Sequence, residues 1–264
     1  MTIACSVAPG IDRIATAVDI GPFGRLAVNG YVLHGAEPML VEAGTVVGRD
    51  DFMQALRSVI DPADLRWLWL THPDPDHIGA IPQLLDAAPQ LRIITTFLGM
   101  GFLNLCAPLP MDRVNFVNPG ERIHLADRVL TGFKPPAFDN PVSTGFVDDR
   151  TGALFTSDCF GALLPDMPER ADDLDGAALR DGQVRWASID SPWLHTVDRD
   201  RYAQMLDAVR RIEPTMVLSS HLPPASSGML DLMLGSLAAV RDADPFDAPD
   251  QQMLEAMLGQ AVAG

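Results

Sequence analysis

The pattern of apolar and polar positions along the chain predicts strands and helices that alternate. Two short apolar runs, Arg25–Leu33 and Pro38–Glu42, are separated by a turn-like stretch and indicate the first strands. Apolar residues then recur at helical spacing up to Ile60, which predicts a helix with one buried face, capped by Asp50 or Asp51. The first part of the chain is therefore expected to form strands followed by a covering helix.

The same alternation continues to the end of the chain. The run Leu65–Leu70 is apolar enough to form a strand buried on both faces, and residues 114–160 are mostly β-like. Further strands are predicted at Leu91–Thr95, Thr144–Val147, Ala153–Thr156 and Thr215–Ser219, and further helices at Ile78–Ala88, Phe97–Leu105 and Arg199–Ile212. We expect one α/β domain over residues 1–264, with helices covering sheets and a helix-rich tail from about residue 225.

Composition and charge exclude several classes of function. The chain has 264 residues, 47% of them apolar, which is enough to bury a substantial core. Its formal net charge of −16 repels phosphate backbones and anionic lipids, so we expect neither nucleic acid nor membrane partners. We also expect no signal peptide and no membrane span. The cysteines Cys5, Cys106 and Cys159 form no paired motif, which favours a reducing, cytoplasmic location.

The candidate chemistry concentrates in the stretch Thr71–Gly79, which follows a predicted buried strand and precedes a helix. Open α/β sheets bind their ligands at this end of their strands. Two imidazoles and two carboxylates stand close together, and the prolines between them stiffen the backbone. So many metal-binding groups on one rigid turn favour a site for two metal ions over a merely polar loop. These candidate metal ligands are His72, Asp74, Asp76 and His77.

This stretch resembles the HxHxDH signature of the metallo-β-lactamase superfamily, with Asp74 in place of the middle histidine. A carboxylate there is similar to the HxExDH variant of the flavodiiron proteins and the oxygen-binding di-iron proteins. The segments Asn29–Leu33 and Met39–Gly44 resemble the opening hairpin of the superfamily, and Gly79–Leu85 resembles the helix after its metal motif. The resemblance extends over residues 29–221 and implies an αββα sandwich, with two central sheets flanked by helices.

The same resemblance implies the later ligands. The segment Leu154–Asp158 resembles the one whose aspartate bridges the two metals, which implies that role for Asp158. Without the resemblance, a capping or turn aspartate is the alternative. His221 ends the buried strand Val217–His221, as the last ligand of the family does. We therefore expect both residues to be metal ligands.

One position departs from the family pattern. Where the family has a histidine ahead of the bridging aspartate, this chain has Phe138-Asp139-Asn140-Pro141. We expect Asp139 to replace that ligand, and an Asx-turn before the proline is the competing interpretation. His34, His124 and His195 are alternatives by residue type alone, and we expect each of them to be structural or exposed.

Grouping the ligands as in the family predicts two metal sites with an oxygen-rich shell. Three imidazoles and four carboxylates balance two divalent ions in charge, and this shell favours iron or manganese over zinc. Cys159 follows the bridging aspartate and is expected to point the opposite way on its strand, so we interpret it as a packing residue. Metal one takes His72, Asp74, Asp139 and Asp158, and metal two takes Asp76, His77, Asp158 and His221.

The resemblance favours a redox function. It implies a di-iron site that binds or reduces dioxygen or nitric oxide, or that senses oxygen. We expect no flavodoxin domain with FMN and no rubredoxin segment in this chain, so electrons would come from an external electron-transfer protein. The flavodiiron proteins bring donor and metal site together in a dimer, which implies a homodimer here.

Two other functions stay open at this point. The second hypothesis is a metal-dependent hydrolase, in which a metal-bridging hydroxide attacks a lactone, thioester or phosphodiester and Asp76 handles protons. The missing middle histidine weakens it. The third hypothesis is a non-catalytic member of the fold with weakened metal affinity. The joint presence of His77, Asp158 and His221 with Asp76 argues against that reading.

Overall fold

The computed structural model describes residues 2–106 and 109–256. Within them, the strands are β1 (Thr2–Ala8), β2 (Ile11–Asp19), β3 (Arg25–Leu33), β4 (Met39–Val41), β5 (Trp67–Trp69), β6 (Arg92–Thr95), β7 (Val114–Phe116), β8 (Arg122–His124), β9 (Val129–Phe133), β10 (Gly145–Asp148), β11 (Ala153–Phe155), β12 (Met216–Leu218) and β13 (Ala225–Ser226). The α-helices are α1 (Arg49–Arg57), α2 (Ile81–Ala87), α3 (Phe97–Cys106), α4 (Gly176–Asp190), α5 (Arg199–Arg210) and α6 (Leu230–Val240).

The strands form two mixed sheets. The first has the order β1-β2-β3-β4-β5-β6-β7, antiparallel from β1 to β4 and parallel from β4 to β7. The second has the order β13-β12-β11-β10-β9-β8, in which only the pair β11 and β12 is parallel. The parallel pairs matter for function because they bring the carboxyl ends of neighbouring strands to the same end of the sheet.

Side chains alternate between the two faces of each sheet and build a four-layer core. In β5, Trp69 points into the cluster between the sheets, and Leu68 points to the cluster under α1 and α2. In β11, Phe155 points into the same central cluster, and Leu154 points to the cluster under α4 to α6. Trp69 packs on Phe146 of the opposite sheet with ring centroids 4.4 Å apart. The expected αββα sandwich is confirmed.

Most predicted elements lie where the pattern placed them, and several of the predicted helices begin or end at other residues than expected. Gly48 occupies the cap position of α1, so the prediction that Asp50 or Asp51 caps this helix was wrong; both lie in its first turn. The helix ends at Arg57 rather than Ile60. The Ser58 hydroxyl donates to the Ala55 carbonyl there, a local bond that competes with helix continuation.

The helix after the metal motif starts later than predicted. It begins at Ile81 rather than Ile78. The amides of Gly79 and Ala80 instead donate to the carbonyls of Gly44 and Ala43, at 2.8 Å and 2.9 Å. These bonds tie the motif to the loop after β4, which apolar periodicity does not reveal.

The pattern missed the first hairpin, β1 and β2, and the helix α4. The buried face of α4 is formed largely by small and polar residues such as Gly182, Gln183 and Ser188, so no apolar stripe marks it. In the predicted helix-rich tail, α6 and residues 251–256 are helical, and residues 257–264 lie outside the described part of the chain. Among the described residues, none of the helices has the length and apolar run needed to cross a bilayer.

A buried ion pair ties the two sheets together away from the metal motif. Arg128 precedes β9, and its Nη1 lies 3.2 Å from the Asp148 carboxylate at the end of β10. Its Nη2 donates to the His34 carbonyl just beyond β3, at 2.6 Å. The Thr151 hydroxyl also donates to Asp148, at 2.7 Å. Because both charges are almost fully buried, each depends on the other for compensation.

Arg128→Met is therefore expected to lower the free energy of unfolding by about 3–5 kcal/mol, since it leaves the Asp148 carboxylate buried without its partner. The matched control is Arg199→Met, which breaks the exposed pair with Asp242 and is expected to cost less than about 1 kcal/mol. Chemical denaturation of both variants measures the difference, and equal losses would contradict it.

Candidate metal centre

The predicted ligands meet at the carboxyl ends of three strands. The motif from His72 to His77 follows β5, Asp158 follows β11, and His221 follows β12. Asp139 reaches the same place from the loop between β9 and β10. The structure brings all seven predicted residues into one cluster. Three groups with ligand atoms within 4.8 Å of one another contain them: His72, His77 and Asp158; Asp76, His77 and His221; His72, Asp74 and Asp139.

Asp158 lies at the middle of this cluster and faces both halves of it. Its Oδ2 is 3.4 Å from His72 Nε2. Its Oδ1 is 3.2 Å from His77 Nε2 and 3.4 Å from His221 Nε2. One carboxylate therefore presents one oxygen to each set of imidazoles, which is the arrangement that a residue bridging two metal ions requires.

Hydrogen bonds behind the imidazoles point their Nε2 atoms into the cluster. The Nδ1 of His221 is 2.7 Å from the Ala27 carbonyl of β3. The Nδ1 of His72 is 2.9 Å from the Thr71 hydroxyl, which accepts a hydrogen bond from Ser157. Partners of this kind fix the tautomer and the ring orientation of metal-binding histidines.

Glu42 supports the third imidazole, and sequence reasoning assigned it no role in the site. It follows β4 in a left-handed backbone conformation, with φ of 63°. Its Oε1 lies 3.4 Å from His77 Nδ1, and both residues are buried. This gives a carboxylate behind the imidazole that faces Asp158. The signal available in the sequence was an acidic residue directly after the apolar run Met39–Val41.

Two side chains of β3 have a structural part in the site. The side-chain amide of Asn29 donates to the carbonyls of Ser219 and Leu222, at 3.0 Å and 2.8 Å. The Tyr31 hydroxyl donates to the Ser219 carbonyl at 2.8 Å. These bonds from β3 hold the turn that carries His221, so the first sheet orients a candidate ligand of the second.

The segment at 138–141 contains an Asx-turn, but Asp139 is not the residue that forms it. The turn residue is Asn140, whose side-chain oxygen accepts from the Val142 amide at 3.2 Å. Its side-chain nitrogen donates to Asp74 at 3.1 Å. The carboxylate of Asp139 instead faces the cluster, with Oδ1 3.8 Å from His72 Nε2. The Trp193 indole donates to the Phe138 carbonyl at 2.8 Å and anchors this loop.

The donor atoms in the cluster fit bound metal ions. Among the described residues, His72 Nε2, His77 Nε2 and Asp158 Oδ1 are buried and have no hydrogen-bond partner. Buried polar atoms are ordinarily paired, because leaving one unpaired costs about 1–3 kcal/mol. A cation between these atoms would satisfy them together. The side chains of Asp76 and Asp139 are 32% and 25% exposed, so the cluster opens to solvent on its carboxylate side.

The charges of the cluster are strongly coupled. Burial alone would lower the pKa of His221, but Asp158 and Asp76 outweigh it and raise that pKa to about 9. Burial alone would raise the pKa of Asp158, but the imidazoles of His72, His77 and His221 outweigh it and hold that pKa well below its usual range. Since a metal ion needs a deprotonated imidazole, metal binding must displace protons from this site.

Two carboxylates carry the opposite shift. Burial and the negative charge of Asp158 and Asp190 raise the pKa of Asp139 to about 8. Burial and Asp158 likewise raise the pKa of Asp190 to about 7. Asp190, the last residue of α4, was missed by sequence reasoning because α4 itself was missed. Its carboxylate lies within 4.8 Å of those of Asp139 and Asp158.

The other candidates lie away from the metal centre. His34 pairs with Asp12 at 2.7 Å, and His124 is exposed on β8. His195 belongs to a short 3-10 helix, and none of the three histidines enters a potential metal group among the described residues. Cys159 packs in the core beneath α4 to α6, as expected, but it follows β11 in a turn, so strand alternation was the wrong reason.

The model of the ODP family beta lactamase matches residues 26–221. The chain belongs to this family. It is 27% identical to the type A flavoprotein fprA of Rhodobacter capsulatus over 200 residues, covering 74% of this chain and 44% of that protein. It is 34% identical to the flavo-diiron protein FprA2 of Clostridium acetobutylicum over 137 residues, covering 50% of this chain and 34% of that protein.

Solved structures share the fold of this family member. Rubredoxin oxygen:oxidoreductase from Desulfovibrio gigas superposes with a TM-score of 0.79 at 17% identity, covering 92% of this chain and 62% of that one. At that identity the likeness concerns the fold. The chain spans less than half the length of the curated relatives it matches.

The raised pKa of Asp139 has a consequence for stability once metal is removed. In the unfolded chain an aspartate titrates near about 4, whereas the folded protein holds this proton up to about pH 8. The unfolded state therefore binds fewer protons in that window, and the stability that the raised pKa contributes is lost as pH rises through it. Asp139→Asn is expected to flatten this fall.

Denaturation of chelator-treated protein between about pH 4 and about pH 8 measures the slope. Asp166→Asn, at an exposed carboxylate, is the matched control. A slope that Asp139→Asn leaves as steep as in the unaltered chain would contradict the assignment of Asp139 to the crowded cluster.

Proposed function

We propose that this protein holds two iron ions and reduces dioxygen or nitric oxide with electrons from an external donor. The observation that carries the proposal is the position of Asp158, with one oxygen facing His72 and the other facing His77 and His221. A buried carboxylate with imidazoles on both sides is suited to bridge two cations.

The donor atoms support iron. The proposed shell has four carboxylates and three imidazoles, and the described residues add no thiolate to it. Carboxylate ligands favour harder metals, and imidazole suits iron as well as zinc. The name of one similar protein agrees, since FprA2 of Clostridium acetobutylicum is a flavo-diiron protein. Manganese and zinc are the competing metals.

Each of the two metals is assigned its own set of ligands, and one residue belongs to both sets. We assign metal one to His72, Asp74, Asp139 and Asp158, and metal two to Asp76, His77, Asp158 and His221. When bound, the two irons supply the redox chemistry and the coordination positions for a diatomic substrate. The imidazoles and Asp158 fix the metals from the buried side, and the partly exposed Asp74, Asp76 and Asp139 line the side open to solvent.

Asp76 lies on the same side of the centre, which is open to solvent. Asp76 lies 3.4 Å from both His77 Nε2 and His221 Nε2, and the two imidazoles lower its pKa against the effect of burial. We assign Asp76 as a metal ligand that remains ionised on the side of the centre that opens to solvent. A cytoplasmic location and a homodimer stay predictions alongside this function.

The test is metal analysis of protein purified without added metal, followed by anaerobic reduction and exposure to dioxygen or nitric oxide. About two irons per chain, with consumption of either gas by the reduced protein, is the expected result for a di-iron centre. His72→Ala and Asp158→Ala should each abolish that consumption and lower the iron content. His124→Ala, which removes an exposed imidazole on β8, is the control and should change neither.

Two zinc ions per chain and no reaction with either gas would contradict the proposal. That outcome would favour the hydrolytic function, in which two metals activate a water molecule for attack on an ester. Lactone, thioester and phosphodiester substrates would then be the next assays. Iron bound equally well by His72→Ala and Asp158→Ala would place the metals elsewhere.

A further inference from the structure

The carboxyl end of α4 is packed against the metal centre by several specific contacts. The side-chain amide of Gln183 donates to the Phe160 carbonyl at 2.9 Å. The ring of Trp186 lies against the ring of His221, with centroids 5.0 Å apart. A side chain at Gly161 would collide with Trp186, so glycine allows this close approach. The position of Asp190 at the end of α4 is therefore fixed by the fold.

The approach of α4 brings the carboxylate of Asp190 close to the carboxylates of Asp139 and Asp158. The carboxylate oxygens of Asp139, Asp158 and Asp190 lie within 4.8 Å of one another. They come from a loop, a strand end and a helix end. The Ser191 hydroxyl donates to Asp190 Oδ2 at 3.0 Å and orients that carboxylate. Three like charges at this separation repel one another strongly unless a cation lies among them.

A second observation points to a ligand at the same place. His72 is fully buried, and within the described ranges its Nε2 has no hydrogen-bond partner. This atom lies 3.4 Å from Asp158 Oδ2 and 3.8 Å from Asp139 Oδ1. It faces two of the three carboxylates and is the kind of donor that a metal ion takes together with carboxylate oxygens.

We propose that Asp190 is a further ligand of metal one. The inference rests on the proposed two-metal function and adds an eighth protein ligand to it. Metal one would then have a single imidazole, from His72, and carboxylates from Asp74, Asp139, Asp158 and Asp190. Metal two keeps two imidazoles, so the two sites differ in chemistry.

This difference has a direct electrostatic consequence. A fifth carboxylate in the centre stabilises the more highly charged, oxidised metal pair relative to the reduced pair, because the attraction grows with the charge of the ions. Replacing Asp190 with a neutral residue is therefore expected to raise the reduction potential of the centre.

The experiment compares the full chain with Asp190→Asn and Asp190→Ala, and uses Asp181→Asn on the exposed surface of α4 as the control. Anaerobic titration with Fe(II) and with Mn(II) measures the two binding steps of each protein. We expect both Asp190 variants to lose about tenfold to a hundredfold in affinity at one step and to keep the other. The control should bind like the unaltered chain.

Unfolding with and without metal separates a ligand from a structural residue. With metal removed, Asp190→Asn relieves the repulsion by Asp139 and Asp158, so this variant should be at least as stable as the unaltered chain. With metal bound, it should be less stable. Equal destabilisation in both states, or two unchanged binding steps, overturns the inference.

The same titration distinguishes this inference from the proposed function. If the unaltered chain holds two irons and reduces dioxygen or nitric oxide while the Asp190 variants bind metal normally, the function stands and the ligand assignment fails. If the chain instead takes up two zinc ions and reacts with neither gas, the function fails. Zn(II) then serves as the probe, and a lost binding step in the variants still supports Asp190 as a ligand.

Discussion

The structure depends on one constraint: several carboxylates and imidazoles are buried together, and their charges must be compensated within the cluster. Asp158 is the centre of that compensation, because its two oxygens face His72 on one side and His77 and His221 on the other. Desolvating such groups is costly unless each has a partner of opposite charge. The crowded carboxylates on the open side are compensated either by protons, as the raised pKa of Asp139 indicates, or by bound cations.

The fold meets this constraint by bringing strand ends of both sheets together at one end of the sandwich. The parallel pairs β4–β5 and β11–β12 bring Glu42, the metal motif, Asp158 and His221 to the same end of the sandwich. Hydrogen bonds then cross between the sheets, from Asn29 and Tyr31 to the turn before His221. The rigid core of Trp69, Phe146 and Phe155 lies directly beneath and keeps the two edges in register.

The sequence predicted those parts of the centre that are local. The run from His72 to His77 is visible because its four candidate ligands lie on one turn, and the resemblance to a known family added Asp158, His221 and Asp139 as further candidates. Residues that reach the centre through tertiary packing left weaker signals. Glu42 contacts the Nδ1 atom of His77, on the side of the ring that faces away from the cluster. Asp190 ends the helix α4, whose buried face is made of Gly182, Gln183 and other small or polar residues. Hydrophobic periodicity detects neither.

The central claim is that Asp158 joins two metals into one centre, and Mössbauer spectroscopy of the iron-loaded, oxidised protein tests it most directly. The account predicts two inequivalent irons of equal intensity that are magnetically coupled, because the two ligand sets differ and share one carboxylate. Uncoupled iron in the unaltered protein, or a coupled pair that survives Asp158→Ala unchanged, would contradict it.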